Sequence, residues 1–451
     1  MNLYGPVRAD KSVGTGKATV TLSMNWKGKT VASTTHTVRV LDAPSLKELP
    51  VSSRLVRSLP HPERKVSIGQ VRFTPKGTLF TAGYPSGTVQ VWDLASGKVL
   101  RRIDSPKGLR RNMDCIQHTS DFRTLFVPVE DSKVVGVEND PKKRMQLIFD
   151  GKILVWDLDT GKPMPDLEAL PGHGVASAYV SPDGSRLITT ERPGRVQGEK
   201  EAPTVVRMID TAKGRSWKLA EGKGMAAFDS DGKRAYVAMG GFDEAQVGGL
   251  LVFDYEGKAQ PPLVALGKQT FRHPGISPDG KQLLVNTSKP GGNQSGTLEV
   301  FDLATGKAIA SFIAGSYSPF PIPFSPDGCL VAAGDDDTIR VFDVAKRSVV
   351  LERKFTKSRV GWGLAFSKDG SRLAVPVQDK LEEVPTRTSD ALDKPQPRIY
   401  LFDLTKPKAA PEEIVCPPGT MGPVAFSADG KTLAFGSTGA VHLFDVSGSA
   451  K

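Results

Sequence analysis

The sequence contains few cysteines and no long apolar segment. Its three cysteines, Cys115, Cys329 and Cys416, are far apart in a chain of 451 residues, which excludes a CxxC metal pair, a c-type haem motif and a disulfide framework. No stretch is apolar over the length that spans a bilayer, and the first twenty residues lack the apolar core of a signal peptide. We therefore expect a soluble chain without membrane insertion, cytoplasmic as given and exported if a leader precedes it.

The sequence motifs of common catalytic sites are also missing. The chain has no G-x-S-x-G nucleophile elbow, no Walker loop, no dinucleotide-binding fingerprint and no H-E-x-x-H zinc motif. Glycine (46 residues) and proline (34 residues) are abundant, which is typical of a turn-rich chain. The net charge of +11 is spread over the whole length, so it favours weak attraction to anionic partners without indicating nucleic-acid binding.

Two short patterns alternate along the chain, with eight copies of each and a period of about 50 residues. The first is a turn of the S-P-D-G type, at residues 73–77, 118–122, 180–184, 229–232, 276–280, 324–328, 366–370 and 426–430. The second is an aromatic or aliphatic residue followed by aspartate: Trp92-Asp93, Trp156-Asp157, Ile209-Asp210, Phe253-Asp254, Phe301-Asp302, Phe342-Asp343, Phe402-Asp403 and Phe444-Asp445. Such regular repetition predicts copies of one structural unit.

Each pattern has a structural reason. In S-P-D-G the proline presets the first corner of a turn and the glycine takes the left-handed position, which joins two antiparallel strands. Short β-rich runs flank this turn, and the run that ends in the aspartate pair is apolar on both sides, as in a sheet packed on both faces. Four short strands repeated eight times predict an all-β fold, an eight-bladed β-propeller of four-stranded antiparallel blades.

The Trp-Asp pairs, the S-P-D-G turns and the Gly172-His173 pair resemble the WD-repeat family, with divergent repeats of the bacterial type, over residues 53 to 447. This resemblance implies a monomeric, non-enzymatic scaffold that binds a protein partner and needs no cofactor. The alternative is a propeller enzyme, such as a lactonase-like hydrolase or a quinone- or haem-dependent oxidoreductase, with its site in the central channel. Nothing in the sequence identifies catalytic residues for that alternative.

The repeats also predict the domain organisation. Residues 1–42 carry two strand signals and resemble an incomplete β-sandwich fragment, residues 43–52 form a linker, and residues 53–451 form the propeller. The chain ends after the third strand of the eighth unit, so we expect the strand-like segment 53–59 to complete the last blade and close the ring.

Connections of unequal length indicate where function lies. Those between the second and third strands are expanded at residues 130–152, 190–204, 239–249, 286–297 and 376–398. In a propeller they emerge on one face, here called the loop-rich face, which we predict to be the recognition surface. Neutral insertion is the alternative, because loop closure costs little.

Basic residues concentrate on two adjacent connections of the loop-rich face. This basic sector comprises Arg102, Lys107, Arg110, Arg111, Lys142, Lys143 and Arg144. We predict that it binds an acidic protein segment or a polyanion, with a solvated rim as the alternative.

Three consecutive aspartates, Asp335, Asp336 and Asp337, raise the possibility of a metal site. They fall between a second and a third strand, where other units have short turns, and aspartate caps backbone amides in such turns. Four of the six histidines recur near the entry to first strands: His61, His118, His173 and His273. We therefore predict turn and structural roles for these residues and no metal site.

Overall fold

The computed structural model describes residues 16–26, 29–40, 51–63, 65–84, 87–104, 110–111, 116–137, 144–240, 248–267, 269–288, 296–315, 323–356, 358–361, 363–379 and 396–448. These residues form strands and turns and no helix, so the described chain has no helical segment that could cross a membrane. The chain divides into two units, Met1–Leu49 and Pro50–Lys451. In the first unit Gly16–Trp26 pairs antiparallel with Lys29–Val40, and the sandwich-like interpretation of this unit stays a prediction.

The second unit confirms the predicted eight-bladed β-propeller of four-stranded antiparallel blades. Blade 1 comprises the strands Ser67–Phe73, Leu79–Tyr84, Val89–Trp92 and Val99–Ile103. In blade 2 the first strand consists of two short segments, Arg110–Arg111 and Gln117–His118, and is followed by Thr124–Gly136, Met145–Asp157 and Pro163–Glu168. Blade 3 comprises His173–Val180, Arg186–Pro193, Val205–Asp210 and Ser216–Glu221. Blade 4 comprises Gly224–Phe228, Arg234–Met239, Gly248–Asp254 and Ala259–Gly267.

The remaining blades follow the same order. Blade 5 comprises Thr270–Ile276, Gln282–Ser288, Gly296–Asp302 and Ala308–Gly315, and blade 6 comprises Leu330–Gly334, Thr338–Asp343 and Ser348–Lys354, with Phe324 bridged to Val331 at its inner edge. Blade 7 comprises Ser358–Val360 with Ala365–Phe366, Arg372–Asp379, Arg398–Asp403 and Glu412–Val415. Blade 8 comprises Val424–Phe426, Thr432–Ser437 and Ala440–Asp445, with Leu55–Pro60 as its outermost strand.

The hydrophobic core lies between neighbouring blades. One cluster joins Phe80 of blade 1 to Leu125 and Leu154 of blade 2, and equivalent clusters recur around the ring. Within the ring the third strands are largely buried on both faces for this reason, which explains why their sequences are apolar on both sides.

The strand Leu55–Pro60 joins the two ends of the ring. It pairs antiparallel with Ala440–Asp445, and Leu59 packs between blades 8 and 1 with 1% of its surface exposed. The Arg57 guanidinium also donates hydrogen bonds to the carbonyls of Leu94 and Ala95 in blade 1, at 3.3 and 3.1 Å. This short strand therefore contacts both blades that meet at the closure.

Both repeated patterns form hydrogen-bonded turns on the face opposite the loop-rich face. In six of the S-P-D-G-type turns, a Ser or Thr hydroxyl donates a hydrogen bond to the aspartate two residues later, at 2.5–2.6 Å. The six pairs are Thr119–Asp121, Ser181–Asp183, Ser277–Asp279, Ser325–Asp327, Ser367–Asp369 and Ser427–Asp429. The aspartates of the second pattern accept backbone N–H groups of the following turn in all eight blades, at 2.7–3.0 Å. These carboxylates stabilise the joints between strands.

The degraded turn at residues 118–122 keeps this geometry with an unusual residue. Phe122 has a φ of 56°, in the left-handed region that glycine occupies in the other copies. Its ring stacks on His118 at a centroid distance of 3.8 Å and contacts the edge of Phe80 at 5.9 Å. Aromatic packing thus offsets the backbone strain at this position.

We expect Leu59→Ala to lower the free energy of unfolding by about 2–4 kcal/mol, because it leaves a cavity between the blades that close the ring. Val56→Ala on the same strand is the matched control, since Val56 is 66% exposed. Chemical denaturation of both variants measures the difference. Equal stability of the two variants would show that this strand does not hold the closure.

The turn aspartates should also make stability depend on acid pH. Hydrogen bonds from Ser367 and Ser371 lower the pKa of Asp369 to about 2, below the value of about 3.9 in an unfolded chain. A carboxyl with a lowered pKa in the folded state contributes stability above about pH 4, and this contribution is lost as the pH falls towards 2. We therefore expect the stability difference between wild type and Asp369→Asn to shrink between pH 5 and pH 2, as measured by denaturation at each pH. A difference that stays constant over this range would contradict the assignment.

Candidate functional site

The second-to-third connection of blade 2 is a β-hairpin that rises from the loop-rich face. We predicted an expanded loop over residues 130–152, and this was wrong for most of its length. The strands Thr124–Gly136 and Met145–Asp157 stay paired without interruption from Thr124 and Asp157 to Gly136 and Met145. Residues 130–136 and 145–150, here called the blade 2 hairpin, therefore extend the blade well past the strand lengths of its neighbours.

A short strand from blade 3 widens this hairpin into three strands. Arg195–Val196, within the expanded connection 190–204, pairs antiparallel with Leu147 and Gln146. The Gln197 N–H donates to the Met145 carbonyl at 2.8 Å, and the Arg144 guanidinium pairs with Glu199 at 2.7 Å. Two connections that are separate in sequence thus form one structural feature.

The base of the hairpin is anchored by a buried carboxylate. Glu130 is paired with Arg192 of blade 3, whose guanidinium lies 4.5 Å from the centre of the Phe149 ring. A side chain at Gly174 would meet the Glu130 carboxylate at 2.2 Å and the Phe149 ring at 3.1 Å, so a larger residue there would displace the paired carboxylate. The hairpin therefore leaves the ring at a defined position.

A fully buried ion pair fixes the start of the blade 3 connection. Glu191 is fully buried and accepts hydrogen bonds from Arg207 at 2.7 and 2.9 Å and from the Thr189 hydroxyl at 2.7 Å. Its other oxygen accepts the Leu170 N–H at 2.8 Å. A buried charge is tolerated only with such complete pairing, and the pairing holds this connection in one conformation.

The blade 2 hairpin exposes apolar side chains on both faces. Val134 and Met145 lie on the face towards blade 3, with 63% and 43% of their surface exposed. Val135 and Ile148 lie on the other face, each 37% exposed. Exposed apolar residues that cluster on one projecting element are typical of a binding surface.

The predicted basic sector is only partly described. Lys107, Lys142 and Lys143 lie outside the described residues. Arg110–Arg111 forms a short strand against Glu130 and Val129, which places it beside the hairpin. Arg102 lies on the outer strand of blade 1 and pairs with Asp104 at 2.9 Å, whereas Arg144 pairs with Glu199. Both described side chains are thus already paired with carboxylates, and the binding role of the sector stays a prediction.

The three aspartates of blade 6 lie in a tight turn between Leu330–Gly334 and Thr338–Asp343. The Asp335 N–H donates to the Thr338 carbonyl at 2.6 Å. Asp336 and Asp337 pair with Arg359 at 3.2 Å and Lys354 at 3.5 Å. Across the described residues, no three His, Cys, Asp or Glu side chains are arranged to hold a metal ion.

A hydrogen bond in blade 1 links the repeat pattern to the structure. The Trp92 indole N–H donates to the Thr81 hydroxyl at 3.0 Å, in the buried space between the second and third strands. Residues 53–93, which include this pair, and residues 322–343 match the family model of the WD domain, G-beta repeat. The match covers the start of the ring and the second and third strands of blade 6.

Two curated proteins share sequence with this chain. The mouse (Mus musculus) U3 small nucleolar RNA-associated protein 4 homolog is 34% identical over 116 residues, which is 24% of this chain and 16% of that protein. Protein TOPLESS of Arabidopsis thaliana is 24% identical over 281 residues, which is 52% of this chain and 24% of that protein. The chain therefore spans less than a quarter of either relative. Both relatives are eukaryotic and give no support to the bacterial type that we expected.

Solved structures share the fold. The C-terminal WD40 domain of Sif2 has a TM-score of 0.58 at 13% identity and covers 87% of this chain and 98% of its own. The β-propeller domain of Cps50 (Swd1) from Myceliophteria thermophila has a TM-score of 0.51 at 16% identity and covers 87% of this chain and 99% of its own. With the matched repeats, these likenesses support a WD-repeat β-propeller.

Sequence reasoning missed the apolar residues of the hairpin, although a signal was present. The run MQLIFDGKILVWD continues the strand pattern for 13 residues, and KVVGV mirrors it on the partner strand. We assigned residues 130–152 to an expanded connection between the second and third strands. Persistent β-branched and apolar residues outside the repeat length were the signal for an extended hairpin.

Removing the arginine at the base should loosen the hairpin. In Arg192→Ala the buried Glu130 carboxylate loses its cationic partner, so we expect hydrogen exchange at residues 131–136 and 145–149 to rise about tenfold while the rest of blade 2 is unchanged. Arg195→Ala is the matched control, because Arg195 pairs with Glu201 in an exposed position. Exchange followed by mass spectrometry measures both variants, and equal exchange in the two would contradict the anchoring role.

Proposed function

We propose that this protein is a non-enzymatic scaffold that binds a partner protein on its loop-rich face, through the blade 2 hairpin and the connections beside it. The observation that carries the proposal is the exposure of four large apolar side chains on a hairpin whose base is held by the ion pair of the buried Glu130 carboxylate with Arg192. Resemblance to WD-repeat propellers supports the same class of function, since these proteins most often act in protein assemblies.

The alternative of a neutral insertion fits the hairpin poorly. An insertion without a role needs neither paired strands nor a buried anchor, and polar side chains would keep it soluble. Here the exposed side chains include two valines, an isoleucine and a methionine, and full burial of one such side chain contributes about 1.5–3 kcal/mol. A partner that covers the hairpin would gain this free energy at a pre-organised surface.

The neighbouring charge favours an acidic region on the partner. Arg110–Arg111 lies beside the base of the hairpin, and Lys133 is exposed on its strand. A protein surface with an acidic rim around an apolar centre is complementary to this arrangement. A polyanion without apolar groups would leave the hairpin uncovered.

We expect the double substitution Val134→Asp/Met145→Asp to abolish partner binding while leaving the propeller folded. Affinity capture from the native source identifies the bound protein, and its affinity for purified wild type and variants is then measured by calorimetry. We expect the affinity for the partner to fall at least about a hundredfold, because the two introduced carboxylates would be buried in an apolar interface. The matched control is Val349→Asp on the outer strand of blade 6, where Val349 is 47% exposed.

The same assay tests the charged rim. Arg110→Glu/Arg111→Glu should weaken binding, with a larger effect at low salt, because exposed charges are screened by ions. If Val134→Asp/Met145→Asp binds the partner with wild-type affinity, the hairpin is not the binding surface. Wild-type affinity of the charge-reversed variant would remove only the basic sector from the interface.

A further inference from the structure

A groove of about 450 Å³ runs along the outer rim of the ring, between the outermost strands of blades 5 and 6. Phe312 of blade 5 and Phe342 of blade 6 are buried at its base, where their rings stack at a centroid distance of 4.6 Å. Ile313 and Val349 also line the groove and are 75% and 47% exposed. The groove is therefore largely apolar, and its volume lies within the range of about 300–1,000 Å³ that is typical of ligand pockets.

Arg347 lies at this groove with a strained backbone. Its φ of 53° falls in the left-handed region, in the turn that joins the third and fourth strands of blade 6. Five other blades have a glycine with positive φ in this turn: Gly97, Gly161, Gly214, Gly257 and Gly306. A residue with a β-carbon is disfavoured in this conformation, whereas glycine adopts it without strain. The chain therefore has an arginine where the turn itself favours glycine.

No contact within the described chain offsets the strain at Arg347. Two other non-glycine residues have a positive φ, and both make local contacts. The Phe122 ring stacks on His118, and the His273 N–H donates to the Met225 sulfur at 3.4 Å. The Arg347 side chain is exposed and makes no hydrogen bond, ion pair or ring contact with the residues that the structure describes. Strained residues that the fold does not need are characteristic of functional sites.

The charges around the groove favour an anionic ligand. Three charged side chains line it, and two of them already have partners. The Asp335 carboxylate accepts the Asp336 N–H at 2.8 Å, and Arg340 pairs with Glu352 at 3.2 Å. The charge of Arg347 is thus available to a carboxylate from another molecule, and an arginine can bind a carboxylate through two parallel hydrogen bonds.

We propose that this groove binds an acidic segment of a second partner protein, with a large apolar side chain between Ile313 and Val349 and a carboxylate paired with Arg347. The groove lies three to four blades away from the blade 2 hairpin, so it is a site additional to the one proposed above. A scaffold with both sites would hold two proteins at once. Burial of the apolar side chain supplies affinity, and the ion pair fixes the position of the segment.

The substitution Arg347→Gly tests whether the arginine is kept for binding. Glycine relieves the backbone strain, so we expect the folding equilibrium constant to rise about threefold while binding at the groove is lost. Phe122→Gly is the matched control, because it removes a ring that packs in the structure and should lower stability. Chemical denaturation measures both variants. A loss of stability in Arg347→Gly would show that the folded chain itself holds this side chain, which would overturn the inference.

Binding is tested with a displayed library of random ten-residue peptides that is selected on the wild-type protein. We expect selected peptides with an acidic residue within about four positions of a large apolar one, since the groove combines these two features. Their affinity is measured by fluorescence anisotropy and should fall at least about tenfold in Arg347→Gly and in Ile313→Asp. Lys98→Ala is the matched control and should change it less than about twofold, because the exposed Lys98 lies in the equivalent turn of blade 1.

The two proposed sites can fail separately. Val349→Asp should block the groove and spare the partner of the blade 2 hairpin, whereas Val134→Asp/Met145→Asp should do the reverse. If no selected peptide binds Arg347→Gly more weakly than wild type, the groove is not a binding site and the hairpin proposal stands. A wild-type dimer that Arg347→Gly converts to a monomer would make a second copy the occupant and would also overturn the inference.

Discussion

Packing between neighbouring blades is the interaction on which the rest of this structure depends. Each sheet is apolar on both faces, so no blade is stable without one on either side, and the ring must close. Closure is achieved by Leu55–Pro60, which comes from one end of the propeller and pairs with the strand Ala440–Asp445 at the other. The side chains of Leu59 and Arg57 extend this contact to blade 1, so the two ends of the propeller segment hold each other in place.

The two faces of the ring are built under different constraints. On one face the aspartates of both repeated patterns accept backbone N–H groups, which keeps these turns short and alike. On the loop-rich face the connections differ in length, and this variation does not disturb the packing between blades. The blades therefore differ from one another mainly in the connections of the loop-rich face, where the repeat constrains the chain least.

The blade 2 hairpin combines rigidity with exposure. Ion pairs of Glu130 with Arg192 and of Glu191 with Arg207 hold its base, and Arg195–Val196 supports one edge. Its upper part displays valine, methionine and isoleucine to solvent. A surface that is held in place before binding loses little conformational entropy when a partner covers it, which is the physical basis of the proposed role.

The sequence by itself determined the number of blades and the position of their turns, because serine, proline, aspartate and glycine act through local backbone geometry and recur at each joint. It also indicated that the three aspartates of blade 6 lie in a turn, by comparison with the same position in other units. Only the tertiary structure decided that residues 130–136 pair with residues 145–151, that Arg195–Val196 joins this hairpin, and that Arg102 and Arg144 have carboxylate partners. The pairing of Arg195–Val196 with the hairpin and of Arg144 with Glu199 depends on contacts between different blades, and such contacts leave no local pattern in the sequence, whereas the hairpin itself continued the strand pattern of the chain.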